Sequence, residues 1–263
     1  MAPRHQPAPL APERSPAPAH LRRLRAKLAD GARTTVYIAE YDAARTDVRL
    51  MLLRRPAPLE AWCATRGIEE AIVGGFFARP GGAPLGEVRT RGIARRSVPF
   101  LAPWGAVRAC VHAAGGTVTV ARRDELPDAP RGDLLQAGPL LVRDGAPCIA
   151  DGDDAEGFSA GAEQFDSDIT AGRYPRAALG VAPGRLLAVA CDGRARHDAG
   201  LTLAELAALL ADLGAQRALN LDGGGSTSLV CAGRLRNRPR ADYGEALPGG
   251  REISTALAFL PRA

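Results

Sequence analysis

The chain has 263 residues, of which 46% are hydrophobic and 24% charged, a globular composition long enough to bury a sizeable core. Residues 1–33 carry seven basic side chains against two acids, which accounts for the whole formal net charge of +5 and leaves the remainder neutral. With aromatics at only 5%, that distribution argues against a nucleic-acid partner, and no apolar run reaches the ~18 residues of a membrane span.

Five cysteines (Cys63, Cys110, Cys148, Cys191, Cys231) are widely spaced, and no C-x-x-C occurs. This excludes a disulfide framework and a cysteine zinc motif, and it fits a reducing compartment. His112 and His197 are isolated, so no histidine-based metal site is assigned. The N-terminus has no continuous apolar region of the secretory type. The expectation is a cytoplasmic protein, with the oligomeric state open.

Residues 1–20 contain six prolines and no glycine and read as a disordered Pro/Ala-rich tail. In residues 21–33, Leu21, Leu24 and Leu28 recur at i, i+3 and i+7, which predicts a short basic helix. It would cap the domain or touch an acidic partner or membrane surface. Residues 34–263 read as one α+β domain with a large mixed β-sheet flanked by a few helices.

Within that body, Thr34 to Tyr41 and Val48 to Leu53 predict strands, and Leu59 to Thr65 a short helix. Ala71 to Phe77 predicts a buried strand that breaks at Gly74-Gly75. Gly75 is either a site where backbone approaches a ligand or a simple bulge. Gly86 to Arg95 reads as a hairpin arm, and a hairpin is expected over Val107 to Ala121, turning at Gly115-Gly116. Asp133 to Val142 reads as a strand interrupted at Gly138-Pro139. The acidic run Asp151-Gly152-Asp153-Asp154-Ala155-Glu156-Gly157 resembles a calcium loop loosely, with Ala155 and Glu156 where a ligand and a glycine are needed. It reads as a solvated loop, and no cofactor is required, although a divalent cation stays open. Gly157-Phe158-Ser159-Ala160-Gly161 matches G-x-S-x-G in letters, but an acidic loop precedes it in place of the strand that a nucleophile elbow needs.

The strongest helix follows. Thr202 and Glu205 form a capping box, Leu203, Leu206, Leu210 and Leu213 form one stripe, and Gly214 stops the helix. It has the length of a crossover between the strand ending at Asp192 and the strand carrying Asn220 and Asp222. If those strands are parallel, both aspartates lie at the same end of a sheet.

The second of them opens the most informative stretch, Asn220-Leu221-Asp222-Gly223-Gly224-Gly225-Ser226-Thr227-Ser228-Leu229-Val230. Leu219 and Leu221 alternate with Asn220 and Asp222, so the two polar side chains share a face. Three glycines then remove every side chain that could keep a ligand from the backbone, and their amides can form an anion-binding nest. An ordinary strand connection accounts for the same letters.

The run NLDGGGSTSLV resembles the signature of the phosphodiester glycosidase family. Further blocks resemble that family in order: Gln136 to Leu141, Pro175 to Val181, Ala190 to Arg194, and Arg251 to Ser254. The family usually has Asn where this chain has Gly74. The resemblance implies an enzyme that releases sugar from a sugar 1-phosphodiester. The missing secretory signal points from a lysosomal-type substrate to a bacterial-type or cell-envelope glycan, such as an exopolysaccharide.

The phosphate of a sugar 1-phosphodiester leaves as a stabilised anion, so charge stabilisation matters more than acid assistance. On that reading Asp222 assists attack at the anomeric carbon as base or nucleophile. Asp192 is the second carboxylate, for acid/base work or orientation. Arg176 and Arg251 clamp phosphate. Gly223, Gly224 and Gly225 supply amides, and Gly138 and Gly75 admit backbone to the ligand. Asn220, Ser226, Thr227 and Asn237 bind hydroxyls or phosphate oxygens. Two other readings remain: a non-catalytic glycan-binding module, and a metal-dependent phosphodiesterase built on Asp192, Asp222 and the acids of 151–156.

Overall fold

The computed structural model describes residues 20–78, 82–159 and 169–262. Its centre is a seven-stranded antiparallel sheet in the order His20–Lys27, Arg33–Asp42, Arg185–Cys191, Arg176–Ala182, Arg217–Asn220, Leu140–Arg143, Ala146–Pro147. The Arg185–Cys191 strand shows why this sheet is central. Leu186, Ala188 and Ala190 enter one core, while Leu187, Val189 and Cys191 enter another. Alternate side chains point to opposite faces, so a continuous apolar run is stable only when both faces are covered.

The helix Leu203–Asp212 covers one face with Leu203, Leu206, Ala207 and Leu210. Its capping box forms as expected: the Thr202 hydroxyl accepts from the Glu205 amide at 3.0 Å, and the Glu205 carboxylate accepts from the Thr202 amide at 2.9 Å. Two five-stranded antiparallel sheets cover the other face. One runs Arg234–Leu235, Leu229–Cys231, Ala71–Val73, Ile253–Pro261, Thr46–Ala57. The other runs Ile93–Ala94, Val88–Thr90, Asp133–Gln136, Ala109–Ala114, Thr117–Arg122. Short helices at Leu59–Ala64 and Trp104–Val107 complete the α+β architecture. Among the described residues, no helix is long and apolar enough to cross a membrane.

The strands thus divide into three antiparallel sheets rather than one mixed sheet. The predicted Asp133 to Val142 strand is where the division occurs. Its halves Asp133–Gln136 and Leu140–Arg143 belong to different sheets, with Gly138-Pro139 at the junction.

The basic helix predicted over 21–33 is a strand instead. His20–Lys27 pairs antiparallel with Arg33–Asp42 across a turn at Asp30-Gly31, where Gly31 has φ +85°. A free-standing helix of this length is marginal in water. The open edge of the Arg33–Asp42 strand offers a full ladder of backbone partners. Arginines blunt the new edge: Arg22 pairs with Glu40 at 2.9 Å and Arg25 with Asp198 at 2.5 Å. The sheet therefore begins by His20, ahead of residue 34. The predicted tail lies outside the described residues apart from His20, and Ala160 and Gly161 of the G-x-S-x-G letters lie outside them too.

Candidate active site

Strand register brings the two aspartates together. Arg185–Cys191 and Arg217–Asn220 both pair antiparallel with Arg176–Ala182, which lies between them, so they run in the same direction. Arg176 faces Cys191 and Ala178 faces Asn220, so Asp192 and Asp222 both leave the sheet at its Arg176 end. The crossover inferred from the capped helix is present, with an antiparallel strand inserted at its centre.

Past Asn220 the chain stays tied to its neighbours. The Leu221 amide donates to the Ala177 carbonyl at 2.8 Å, the Asp222 amide to the Gly74 carbonyl at 2.9 Å, and the Gly224 amide to the Pro175 carbonyl at 2.8 Å. Asp222 is half-buried, and its Oδ1 accepts from the Gly223 amide at 2.8 Å. A single 3₁₀ turn, Gly224–Ser226, follows.

The glycines serve differently from the expected nest. The amides of Gly223 and Gly224 are spent on Asp222 and Pro175. What the missing side chains admit is charge. A Cβ on Gly224, which has φ +59°, would lie 3.0 Å from Nη1 and 3.2 Å from Nη2 of Arg194. A Cβ on Gly225 would lie 3.1 Å from Nη2 of Arg251 and 2.9 Å from Leu247. Two guanidinium groups therefore rest against the turn beside Asp222. The Arg251 amide also donates to the Gly225 carbonyl at 3.0 Å.

The sequence reading assigned Arg194 no role. Its only mark in the sequence is its place after Asp192-Gly193, at the end of the family-like block Ala190 to Arg194. Its backbone has φ +56°, uncommon for a residue with a side chain. Its guanidinium pairs with Asp242 at 2.7 Å, donates to the Arg240 carbonyl at 3.2 Å, and lies 5.6 Å from the Tyr174 ring centroid. Arg176 flanks the same ring at 5.2 Å. Arg176 is buried, and its Nε and Nη2 donate to the carbonyls of Leu201 and Gly172 at 3.1 and 3.2 Å. Those bonds hold the loops beneath the site.

Asp192 is buried with both carboxylate oxygens bonded. Oδ1 accepts from the Arg238 amide at 2.6 Å, and Oδ2 accepts from the Tyr37 hydroxyl at 3.3 Å. Burial pushes its carboxyl above the usual range, with Asp198 adding to the rise and the Arg238 amide opposing it. Asn237 is also committed: Oδ1 accepts from the Leu229 amide at 2.9 Å, and Nδ2 donates to the Thr227 carbonyl at 2.7 Å. Both residues fasten the 236–238 segment to the sheet rather than facing solvent.

Asn220 donates through Nδ2 to the carbonyls of Gly138 and Leu221 at 3.0 and 2.9 Å, and the Gly138 amide donates to the Asn220 carbonyl at 3.0 Å. Gly138 has φ +126°, and a Cβ there would lie 2.7 Å from the Glu156 carboxylate. Glu156 was read as part of a solvated loop. It is half-buried instead, and accepts from the amides of Leu140 and Ala109 at 2.7 and 2.9 Å. Burial raises its carboxyl above the usual range. Gly75 is buried; its amide donates to the Thr255 hydroxyl at 3.0 Å. A Cβ on Gly74 would lie 2.8 Å from the Thr255 backbone, so a side chain there would displace that strand.

Ser226 and Thr227 are buried. Asn220 Oδ1, Thr227 Oγ1 and Ser228 Oγ are buried with no hydrogen-bond partner among the described residues. Each such atom costs about 1–3 kcal/mol. Among the described residues, no group of three or more His, Cys, Asp or Glu side chains is placed to hold a metal ion.

A half-buried carboxylate thus lies at the rim of a sheet, with two guanidinium groups against the adjoining glycine turn. The phosphodiester glycosidase profile matches residues 66–260, and the chain belongs to that family. The catalytic domain of zebrafish N-acetylglucosamine-1-phosphodiester alpha-N-acetylglucosaminidase, solved auto-inhibited by its pro-peptide, is similar at 21% identity. Its TM-score is 0.70, covering 93% of this chain and 83% of that one. A hypothetical protein from Synechocystis follows at 19% identity and TM-score 0.63, covering 92% and 62%. A putative exported protein from Burkholderia pseudomallei K96243 has 20% identity and TM-score 0.62, covering 88% and 74%. These three likenesses show the fold. No curated protein matches the sequence.

Proposed function

We propose that this phosphodiester glycosidase hydrolyses the glycosidic C–O bond of a sugar 1-phosphodiester, releasing free sugar and a phosphomonoester. The observation that carries this reading is the pair of guanidinium groups, Arg194 and Arg251, against Gly224 and Gly225 beside Asp222. Two fixed positive charges suit a phosphate that gains charge as the C–O bond breaks. Asp222 assists water, or attacks directly, at the anomeric carbon. Arg194 and Arg251 hold the departing phosphomonoester. Asp192 orients the 236–238 segment, the role its bonded and buried carboxylate favours over proton transfer.

Arg176, Asn220, Ser226, Thr227 and Asn237 act on this reading by shaping the turn, because all five are buried. A bacterial-type or cell-envelope glycan remains the proposed substrate class. A panel of sugar 1-phosphodiesters, incubated with and without chelator and assayed for released sugar, tests the proposal. Release by the wild-type chain and its loss in Asp222→Asn support it. Release undiminished in Asp222→Asn removes the role given to that carboxylate.

A further inference from the structure

Tyr174 precedes Pro175, whose carbonyl accepts from the Gly224 amide, and its backbone is locked in place. The Tyr174 amide donates to the Leu201 carbonyl at 3.2 Å, and the Leu201 amide donates back to the Tyr174 carbonyl at 3.1 Å. Glycines admit this backbone at close quarters. A Cβ on Gly200, which has φ +88°, would lie 2.5 Å from the Tyr174 carbonyl oxygen. A Cβ on Gly193 would lie 2.7 Å from the Pro175 nitrogen, and one on Gly223 would lie 2.9 Å from the Pro175 carbonyl oxygen. Gly193 follows Asp192 and Gly223 follows Asp222, so Tyr174-Pro175 is wedged against both segments that carry the aspartates.

The side chain joins two cations. Tyr174 is half-buried, with the Arg176 guanidinium 5.2 Å from its ring centroid and the Arg194 guanidinium 5.6 Å from it. Arg176 is buried and fixed by its bonds to the carbonyls of Leu201 and Gly172. Arg194 carries the guanidinium that rests on Gly224. Its polar partners, the Arg240 carbonyl and the exposed Asp242, belong to a surface loop. An exposed ion pair holds a long side chain weakly. The Tyr174 ring is the contact that ties this guanidinium to the central sheet.

We propose that Tyr174 is a positioning residue: the face of its ring holds the Arg194 guanidinium against the Gly224 turn, where the departing phosphate needs it. The proposal rests on the functional reading above and deepens it by naming what orients the arginine. A cation within about 6 Å of an aromatic centroid is drawn to the negative face of the ring, more strongly where water is partly excluded. A charge fixed in advance stabilises a transition state without reorganisation, and a small misplacement forfeits much of that effect.

Ring electronics separate positioning from packing. Tyr174→Phe keeps the ring and should stay within about twofold of wild type in kcat/KM on a sugar 1-phosphodiester. Phenylalanines with one, two or three fluorines at position 174 keep the shape but drain the negative face. Their kcat/KM should fall stepwise, to about tenfold below Tyr174→Phe for the trifluorinated ring, with the melting temperature constant. Tyr174→Leu should lose at least as much. A rate indifferent to fluorine number overturns the proposal, even if Tyr174→Leu is slow, because packing alone would then account for the loss.

The placement of Arg194 is read apart from turnover by NMR. Its Nε–H proton, assigned by its disappearance in Arg194→Lys, should carry a ring-current shift that Tyr174→Phe keeps and Tyr174→Leu abolishes. A resonance that Tyr174→Leu leaves unmoved overturns the positioning. A ring-dependent resonance in a wild-type chain that releases no sugar overturns the functional reading and keeps the contact. Neither turnover nor a ring-dependent resonance overturns both.

Discussion

Gly224 is where the role given to the glycine turn is most open to attack. Its φ of +59° is left-handed, so alanine there costs about 1–2 kcal/mol in the backbone alone. The new Cβ would meet Arg194 at 3.0 and 3.2 Å. Those atoms are the end of a flexible side chain, so the guanidinium yields by a few tenths of an ångström. Its pair with Asp242, which is 60% exposed, contributes about 0–1 kcal/mol. Stability should therefore fall by about 1–2 kcal/mol, and the melting temperature by about 3–6 °C for a domain of this size. Activity should suffer more. Removing a group that stabilises developing charge typically costs 10²–10³ in rate, so Arg194→Ala should lose about that much kcat/KM. Gly224→Ala, which displaces the group, should lose about 10–10². If the glycine exists to admit the guanidinium, the two losses overlap, and the double variant should be little worse than Arg194→Ala. Sugar release from a sugar 1-phosphodiester, measured in a double-mutant cycle, reads the coupling. Fully additive losses, or unimpaired activity in Gly224→Ala, would refute the reasoning.

Three further outcomes follow from single contacts. Burial raises the Asp192 carboxyl, so its favourable contribution is complete below the unfolded value near pH 4 and is lost as pH rises through the folded value. Asp192→Asn accepts the Arg238 amide without ionising, so its melting temperature should gain on wild type between pH 4 and 7; a pH-independent gap contradicts this. Glu156→Ala strands the buried amides of Ala109 and Leu140 and should cost about 2–4 kcal/mol in denaturant melts, whereas a solvated-loop residue would cost nearly nothing. Arg25 bonds Thr35 at 2.8 Å as well as Asp198, so Arg25→Ala should cost about 1 kcal/mol, discounted for its 42% exposure. Amide exchange should show residues 21–27 protected as a paired strand, and free exchange there would return the segment to a detached element.

The central crossover was legible because its signals are local. Thr202 and Glu205 reach each other within one helical turn, and the leucine stripe fixes the buried face. Asn220 and Asp222 were legible for a similar reason, since alternation on a strand needs only adjacent letters. The basic segment was misread because Leu21, Leu24 and Leu28 fit a helical stripe, whereas its strand state depends on Arg33–Asp42 as a partner. Glu156 looked solvated because it stands among aspartates; its partners Ala109 and Leu140 are far away in sequence. Arg194 escaped notice for the same cause. A guanidinium that rests on Gly224 thirty residues later leaves no local periodicity, and only the three glycines hint that something must lie against them.

Turnover in ¹⁸O-labelled water tests most directly which bond is cut. Cleavage at the anomeric carbon, assisted by Asp222 with phosphate held between Arg194 and Arg251, puts the label in the free sugar and none in the phosphomonoester. Label in the phosphomonoester would mean attack at phosphorus and would contradict the assignment.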